Sequence, residues 1–162
     1  MKADDPAGRS GRPGRALFVG DFRHSVDRKG RTAVPAAFLK VLALAPGEPL
    51  VLASGRNRTI ECHPPDEWNE HVETMVSRSE SGDPFGRQLL RTVLSRCYQV
   101  EPDRRGRILI PEYLRRLAEI KTRVTFVGAG EYFEMWSPER YDAFVERACE
   151  SLGRYIDVAG DP

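Results

Sequence analysis

The residues best suited to chemistry come in two matching groups: Asp27, Arg28, Lys29, Gly30 and Arg31, then Asp103, Arg104, Arg105, Gly106 and Arg107. Three cations around a glycine suit an anionic partner. The planar fork of arginine fits guanine O6 and N7 in the DNA major groove, whereas lysine is a point charge better matched to phosphate. Arg28, Arg31, Arg104 and Arg107 are therefore the expected base readers, with Lys29 and Arg105 beside them as DNA-binding cations. Asp27 and Asp103 suit the first position of a type I turn, where the carboxylate accepts a backbone N–H. Gly30 and Gly106 suit the left-handed fourth position of a hairpin with a bulge. These four organise the turns, and Arg31 and Arg107 open the next strand, from which they can reach back to the aspartates. A carboxylate is repelled by phosphate, so neither aspartate is expected to touch DNA.

The two groups sit inside a longer repeat. Residues 27–38, DRKGRTAVPAAF, lie over 103–114, DRRGRILIPEYL, at a constant offset of 76. Further on, 51–68 matches 124–141 at an offset of 73, with Gly55 on Gly128, Glu61 on Glu134 and Pro65 on Pro138. Each copy reads as strand, turn, short strand, proline-started helix, strand, turn, strand and longer helix. Two copies are too few for a solenoid, so a pseudo-two-fold pair sharing one core is expected. Pro35 and Pro111 start short helices at about 35–42 and 111–119. Amphipathic stripes mark longer helices: Trp68, Val72, Met75 and Val76; Phe85, Leu89, Leu90, Val93 and Leu94; and Tyr141, Phe144, Val145, Ala148 and Leu152. The stretch at 77–84 between the first two reads as a polar loop.

Composition narrows the function classes. The chain has 162 residues, 40% hydrophobic and 30% charged, which is ordinary for a globular protein, and no apolar run approaches the roughly 20 residues of a membrane helix. It reads as cytoplasmic. With 25 Lys and Arg against 24 Asp and Glu, any nucleic-acid binding must come from local clustering. Cys62, Cys97 and Cys149 are odd in number and lack a CxxC, so no disulfide framework, metal or cofactor is expected. Cys62 and His63 are adjacent on a strand and point to opposite faces, and the three histidines read as scattered. Cys97 could be imagined as a nucleophile, but no oxyanion loop or third partner accompanies it, and no small-molecule substrate is expected. Residues 1–15 read as a disordered arm and 153–162 as a flexible tail, flanking repeats at 16–82 and 83–152.

The doubled DRKGR and DRRGR, the opening FVGDFRHSVDRKGRTAVPAAF and the glutamate-proline pattern after the later strands resemble the MraZ family of bacterial transcriptional regulators of the division and cell-wall gene cluster. The resemblance covers roughly 16–152. It implies an α+β fold of two tandem AbrB-like swapped-hairpin β-barrel halves. It also implies a ring-shaped homo-oligomer that binds repeated double-stranded DNA boxes upstream of its own operon, and hence a place at the nucleoid. The motif positions that carry over are Asp27 and Arg31, Asp103 and Arg107, with Arg28, Lys29, Arg104 and Arg105 between them. Neither terminal segment receives a role from the resemblance.

A single Asp-x-x-Gly turn with exposed cations is an ordinary solvated hairpin. Its second copy, with the cations repeated as well as the turn-forming residues, is what favours function. Three cations per hairpin neutralise about two or three phosphates, each worth roughly 0.9 in the log-log salt slope, so one lobe alone binds weakly. Several subunits on repeated boxes multiply such affinities through effective concentration. The alternative is a homo-oligomeric interaction or scaffold module whose hairpins grip acidic partners. RNA binding is disfavoured by the lack of an aromatic stacking platform near the turns.

Overall fold

The computed structural model describes residues 16–79 and 84–159. The expected arm at 1–15, the centre of the loop at 80–83 and the last three residues of the expected tail lie outside the described residues. The chain runs β1 (Asp21–Ser25), β2 (Arg31–Ala33), α1 (Ala36–Leu42), β3 (Leu50–Ser54), β4 (Ile60–His63), α2 (Pro65–Ser79), α3 (Pro84–Leu94), β5 (Tyr98–Val100), β6 (Arg107–Leu109), α4 (Glu112–Leu117), β7 (Arg123–Gly128), β8 (Phe133–Trp136) and α5 (Pro138–Ala159). A short 3-10 turn, Arg56–Arg58, joins β3 to β4. The fold is α+β, with each proline-started helix and each amphipathic stripe in the expected place. Pro35 and Pro111 stand one residue ahead of α1 and α4 as their N-caps, with φ near −53° and −54°. α5 runs past 152, the expected end of the second repeat.

Strand pairing crosses between the copies. The larger sheet is antiparallel in the order β1-β7-β8-β4-β3-β5, so the first strand of each copy lies against the other copy's strands. β2 and β6 form a separate antiparallel pair with Thr32 opposite Ile108. In the larger sheet β4 meets β8 with Glu61 opposite Glu134. Both pairs join equivalent positions of the two copies, and the pseudo-two-fold axis passes through them.

The register corrects one detail of the sequence alignment. Ser54 pairs with Ile60 in the first copy, and Gly128 with Phe133 in the second. Ser54, rather than Gly55, is therefore the counterpart of Gly128, and the offset through β3 and β7 is 74 before returning to 73 at β4 and β8. The connection from Ser54 to Ile60 holds the extra residue. This matters because one residue of slip would send a strand's apolar side chains to the opposite face.

Alternation then builds two apolar layers. Leu50, Leu52, Ile60, Cys62, Val124, Phe126, Phe133 and Met135 point to the main core, closed by Val34 and Phe38 from one copy and Ile108, Ile110 and Leu114 from the other. At its centre the Phe18, Phe38 and Phe133 rings lie 5.0–5.4 Å apart, within the range of favourable aromatic pairs. On the other face Val51, Ala53 and Trp68 pack with Val72, Val93 and Cys97 under α2 and α3. There too the His63 ring lies 4.9 Å from Tyr132 and 6.2 Å from His71, so two of the histidines read as scattered are brought together by the fold. No helix among the described residues is long and apolar enough to cross a membrane.

Phe133 is fully buried and meets rings from both copies, Phe18 and Phe38 of the first and Phe126 of the second. Phe133→Ala is expected to destabilise the protein by about 3–5 kcal/mol, read as a shift of the urea midpoint at fixed protein concentration.

Candidate nucleic-acid interface

Each cationic turn is a closed hairpin. Asp27 N–H donates to Arg31 O at 2.9 Å and Gly30 N–H to Asp27 O at 2.9 Å, and Asp103 with Arg107 and Gly106 repeats both bonds at 2.8 Å. Gly30 and Gly106 have φ of +83° and +71°, the left-handed region that a Cβ disfavours. Their carbonyls accept from the opposite copy: Val34 N–H donates to Gly106 O and Ile110 N–H to Gly30 O, each at 2.9 Å. The β2–β6 ladder and these two bonds fasten the turns to one another.

The aspartates act as clamps. Asp27 Oδ1 accepts the backbone N–H groups of Lys29 and Arg31 at 2.9 Å, and its Oδ2 accepts Arg31 Nε at 2.8 Å. Asp103 does the same with Arg105 N–H at 2.9 Å, Arg107 N–H at 3.0 Å and Arg107 Nε at 2.9 Å, and Arg107 Nη2 adds an ion pair at 2.8 Å. The expected reach-back of Arg31 and Arg107 is thus present, and it holds each guanidinium half-buried against its own turn. Arg28, Lys29, Arg104 and Arg105 are exposed. Among the described residues their side chains make no hydrogen bond or ion pair. Each turn therefore offers two solvated cations and one clamped arginine.

The clamp keeps the carboxylates ionised. The Arg107 backbone N–H, then its side chain, hold Asp103 at a pKa of about 2, below the ordinary 3.8. Asp27 is lowered for the same reasons, led by the Arg31 backbone N–H and opposed by partial burial. Three cations against one carboxylate leave a net of two positive charges per turn.

Burial raises the Cys97 thiol to about 11, and its Sγ donates to Val93 O at 3.0 Å, so at neutral pH it is a thiol and a poor nucleophile. Cys62 is fully buried in the main core, on the face opposite His63. His63 Nε2 lies 3.1 Å from Glu61 Oε2, and no group of three His, Cys, Asp or Glu among the described residues could hold a metal. Burial and the neighbouring Glu61 raise the pKa of Glu134, partly offset by Trp136 Nε1–H donating to it at 2.8 Å. An open groove of about 870 Å³ is lined by Ser54, Gly55, Arg58, Glu112, Tyr113, Arg116 and Leu117, with neither Cys97 nor a turn residue in its lining.

Sequence reasoning did not reach the supports beneath the turns. A Cβ placed on Gly30 would lie 2.9 Å from Arg115 Nη1, and one on Gly106 would lie 2.5 Å from Leu39 Cδ1. α4 of the second copy thus backs the first turn and α1 of the first copy backs the second. The signal was available one step past the matched stretch, because Leu39 and Arg115 are themselves separated by 76.

The titration of Asp103 tests the clamp. Its stabilising contribution is complete above 3.8, the ordinary value, and is lost as pH falls through about 2. Carboxyl NMR is expected to show a midpoint near 2. Arg107→Ala should raise it only part of the way, since the dominant backbone donor survives the substitution.

The family model described as "MraZ protein, putative antitoxin-like" matches twice, over residues 17–92 and 93–154. A protein named Transcriptional regulator MraZ from Thermomicrobium roseum is 39% identical over 130 residues, covering 80% of this chain and 88% of the relative. Its namesake from Dictyoglomus turgidum is 38% identical over 128 residues, 79% and 84% of the two chains. The one from Bifidobacterium longum is 32% identical over 145 residues, 90% and 91%. Matched in both halves and along most of its length, the chain belongs to the MraZ family.

Proposed function

We propose that this protein is a sequence-specific DNA-binding transcriptional regulator with no enzymatic activity, acting at repeated boxes upstream of its own operon in the division and cell-wall gene cluster. The relatives' shared name supports regulation of transcription. The observation that carries the reading is the pair of aspartate-clamped turns, fastened together through β2 and β6 with their cations turned outward. On this reading Arg28 and Arg104 reach base edges from the tips, and Lys29 and Arg105 take phosphates. Arg31 and Arg107 present the outer edge of a guanidinium already aimed by its aspartate, so little side-chain freedom remains to be lost on binding.

The exchange of β1 and β5 between copies favours tandem AbrB-like swapped-hairpin halves, with repeats at 16–82 and 83–152. Self-association into a ring is favoured by apolar side chains left exposed on two helices: Phe85, Leu89 and Leu94 on α3, and Phe144, Val145 and Leu152 on α5. Such patches mark association surfaces when they are contiguous. A ring would bring many weak hairpins to one stretch of repeats, and would place the protein in the cytoplasm at the nucleoid.

Binding to the native upstream fragment and to a scrambled duplex of equal length, at two salt concentrations, tests the reading. The native fragment is expected to keep its preference at the higher salt. Arg28→Ala with Arg104→Ala should cost about 1–3 kcal/mol per lost base contact and flatten that preference. Equal, salt-erased binding to both duplexes would overturn the proposal and favour acidic protein partners instead. Leu89→Asp is expected to reduce the assembly size in analytical ultracentrifugation while leaving each subunit folded.

A further inference from the structure

We propose that the two hairpins are unequal, and that Arg115, reaching across from α4 of the second copy, makes the first hairpin the stronger grip on DNA phosphate. The inference rests on the DNA-binding reading above and adds a residue and an asymmetry to it.

The copies are equivalent in their turns and differ in what lies beneath them. The first turn rests on a guanidinium, with Arg115 Nη1 and Cζ at 2.9 and 3.2 Å from the Cβ position of Gly30. The second rests on a methyl group, Leu39 Cδ1 at 2.5 Å from the Cβ position of Gly106. Among the described residues no carboxylate forms an ion pair with Arg115. Asp27, the acid of that turn, is already occupied by Arg31 and two backbone N–H groups. Four cations, Arg28, Lys29, Arg31 and Arg115, therefore gather around one committed carboxylate. Their mutual repulsion is relieved by an anion, and a phosphate oxygen offers the acceptors that the fold withholds from Arg115.

The second turn is built the other way. Beside Asp103 and Arg104 runs a groove of about 340 Å³ walled by Leu39, Leu42 and Leu44, with Glu48 and Glu101 at its edges. Glu48 Oε2 accepts Ala45 N–H at 2.9 Å, which holds that carboxylate on the connection that lines the same groove as Asp103 and Arg104. The groove sets two further acids beside the second hairpin, and Arg104 is the one base in its lining, which weakens the local field there. Arg115 is half-buried against the turn backbone, so it is placed before DNA arrives.

The test is the salt dependence of binding by the full-length protein to a duplex of its own upstream region. Arg115→Leu installs the residue that backs the other turn. It is expected to lower the log-log salt slope by about 0.9 for each subunit engaged, while Arg115→Lys keeps the slope. Arg28→Ala with Lys29→Ala should weaken binding more than Arg104→Ala with Arg105→Ala. An unchanged slope in folded Arg115→Leu protein, or equal losses from the two double substitutions, would overturn the proposal. Should the leucine variant fail to fold, Arg115→Gln removes the same charge with a polar side chain and reads the same slope. If neither double substitution alters binding, the DNA reading itself falls and the asymmetry with it, an outcome distinct from equal losses.

Discussion

Everything in this molecule depends on the exchange of strands between its two copies. β1 pairs with β7, β5 pairs with β3, and β2 and β6 find each other. Buried backbone donors and acceptors must be paired, so a half with its first strand removed would leave part of a sheet edge and part of its core open. The same exchange sets the functional geometry. Each turn glycine gives its carbonyl to the opposite copy, and each turn rests on the opposite copy's short helix. The cationic tips are consequently fixed relative to one another by the core rather than by a linker.

The second organising force is a short-range electrostatic one. The chain as a whole carries a formal charge of only +1, so its long-range field offers little attraction to a polyanion. Charge is concentrated instead where the turn geometry demands it. An exposed aspartate-arginine pair contributes little to stability. Here its value is directional: the carboxylate ties two backbone N–H groups and one Nε into a fixed corner, and an acid at a cationic tip becomes a brace rather than a liability. The raised thiol of Cys97 and the core position of Cys62 belong to packing, which leaves the turns as the chemically distinctive surface.

Much of this was legible in the residues themselves. The offset of 76 paired the turns correctly, and aspartate, glycine and arginine at their positions within each turn specified the hairpin and its clamp, because turn chemistry is local. Helix starts at Pro35 and Pro111 and the amphipathic stripes were legible for the same reason. The alignment of Gly55 with Gly128 was not reliable, since a connection can absorb a residue without disturbing the strands beside it. Only the ladder pairing Ser54 with Ile60 and Gly128 with Phe133 shows where the extra residue sits.

Sequence by itself determined the doubled unit, the glycine and aspartate positions that close its turns, and the family. These follow from spacing over a few residues, where φ preferences and hydrogen-bonding side chains act directly. Tertiary structure alone decided in which register the copies pair their strands, that His63 and His71 meet, and that Arg115 rather than an apolar side chain backs the first turn. Those contacts join residues from 8 to 106 positions apart and are set by which faces the pleat buries and which helix closes the core. No local preference encodes that choice; it is made by the free energy of filling one shared interior.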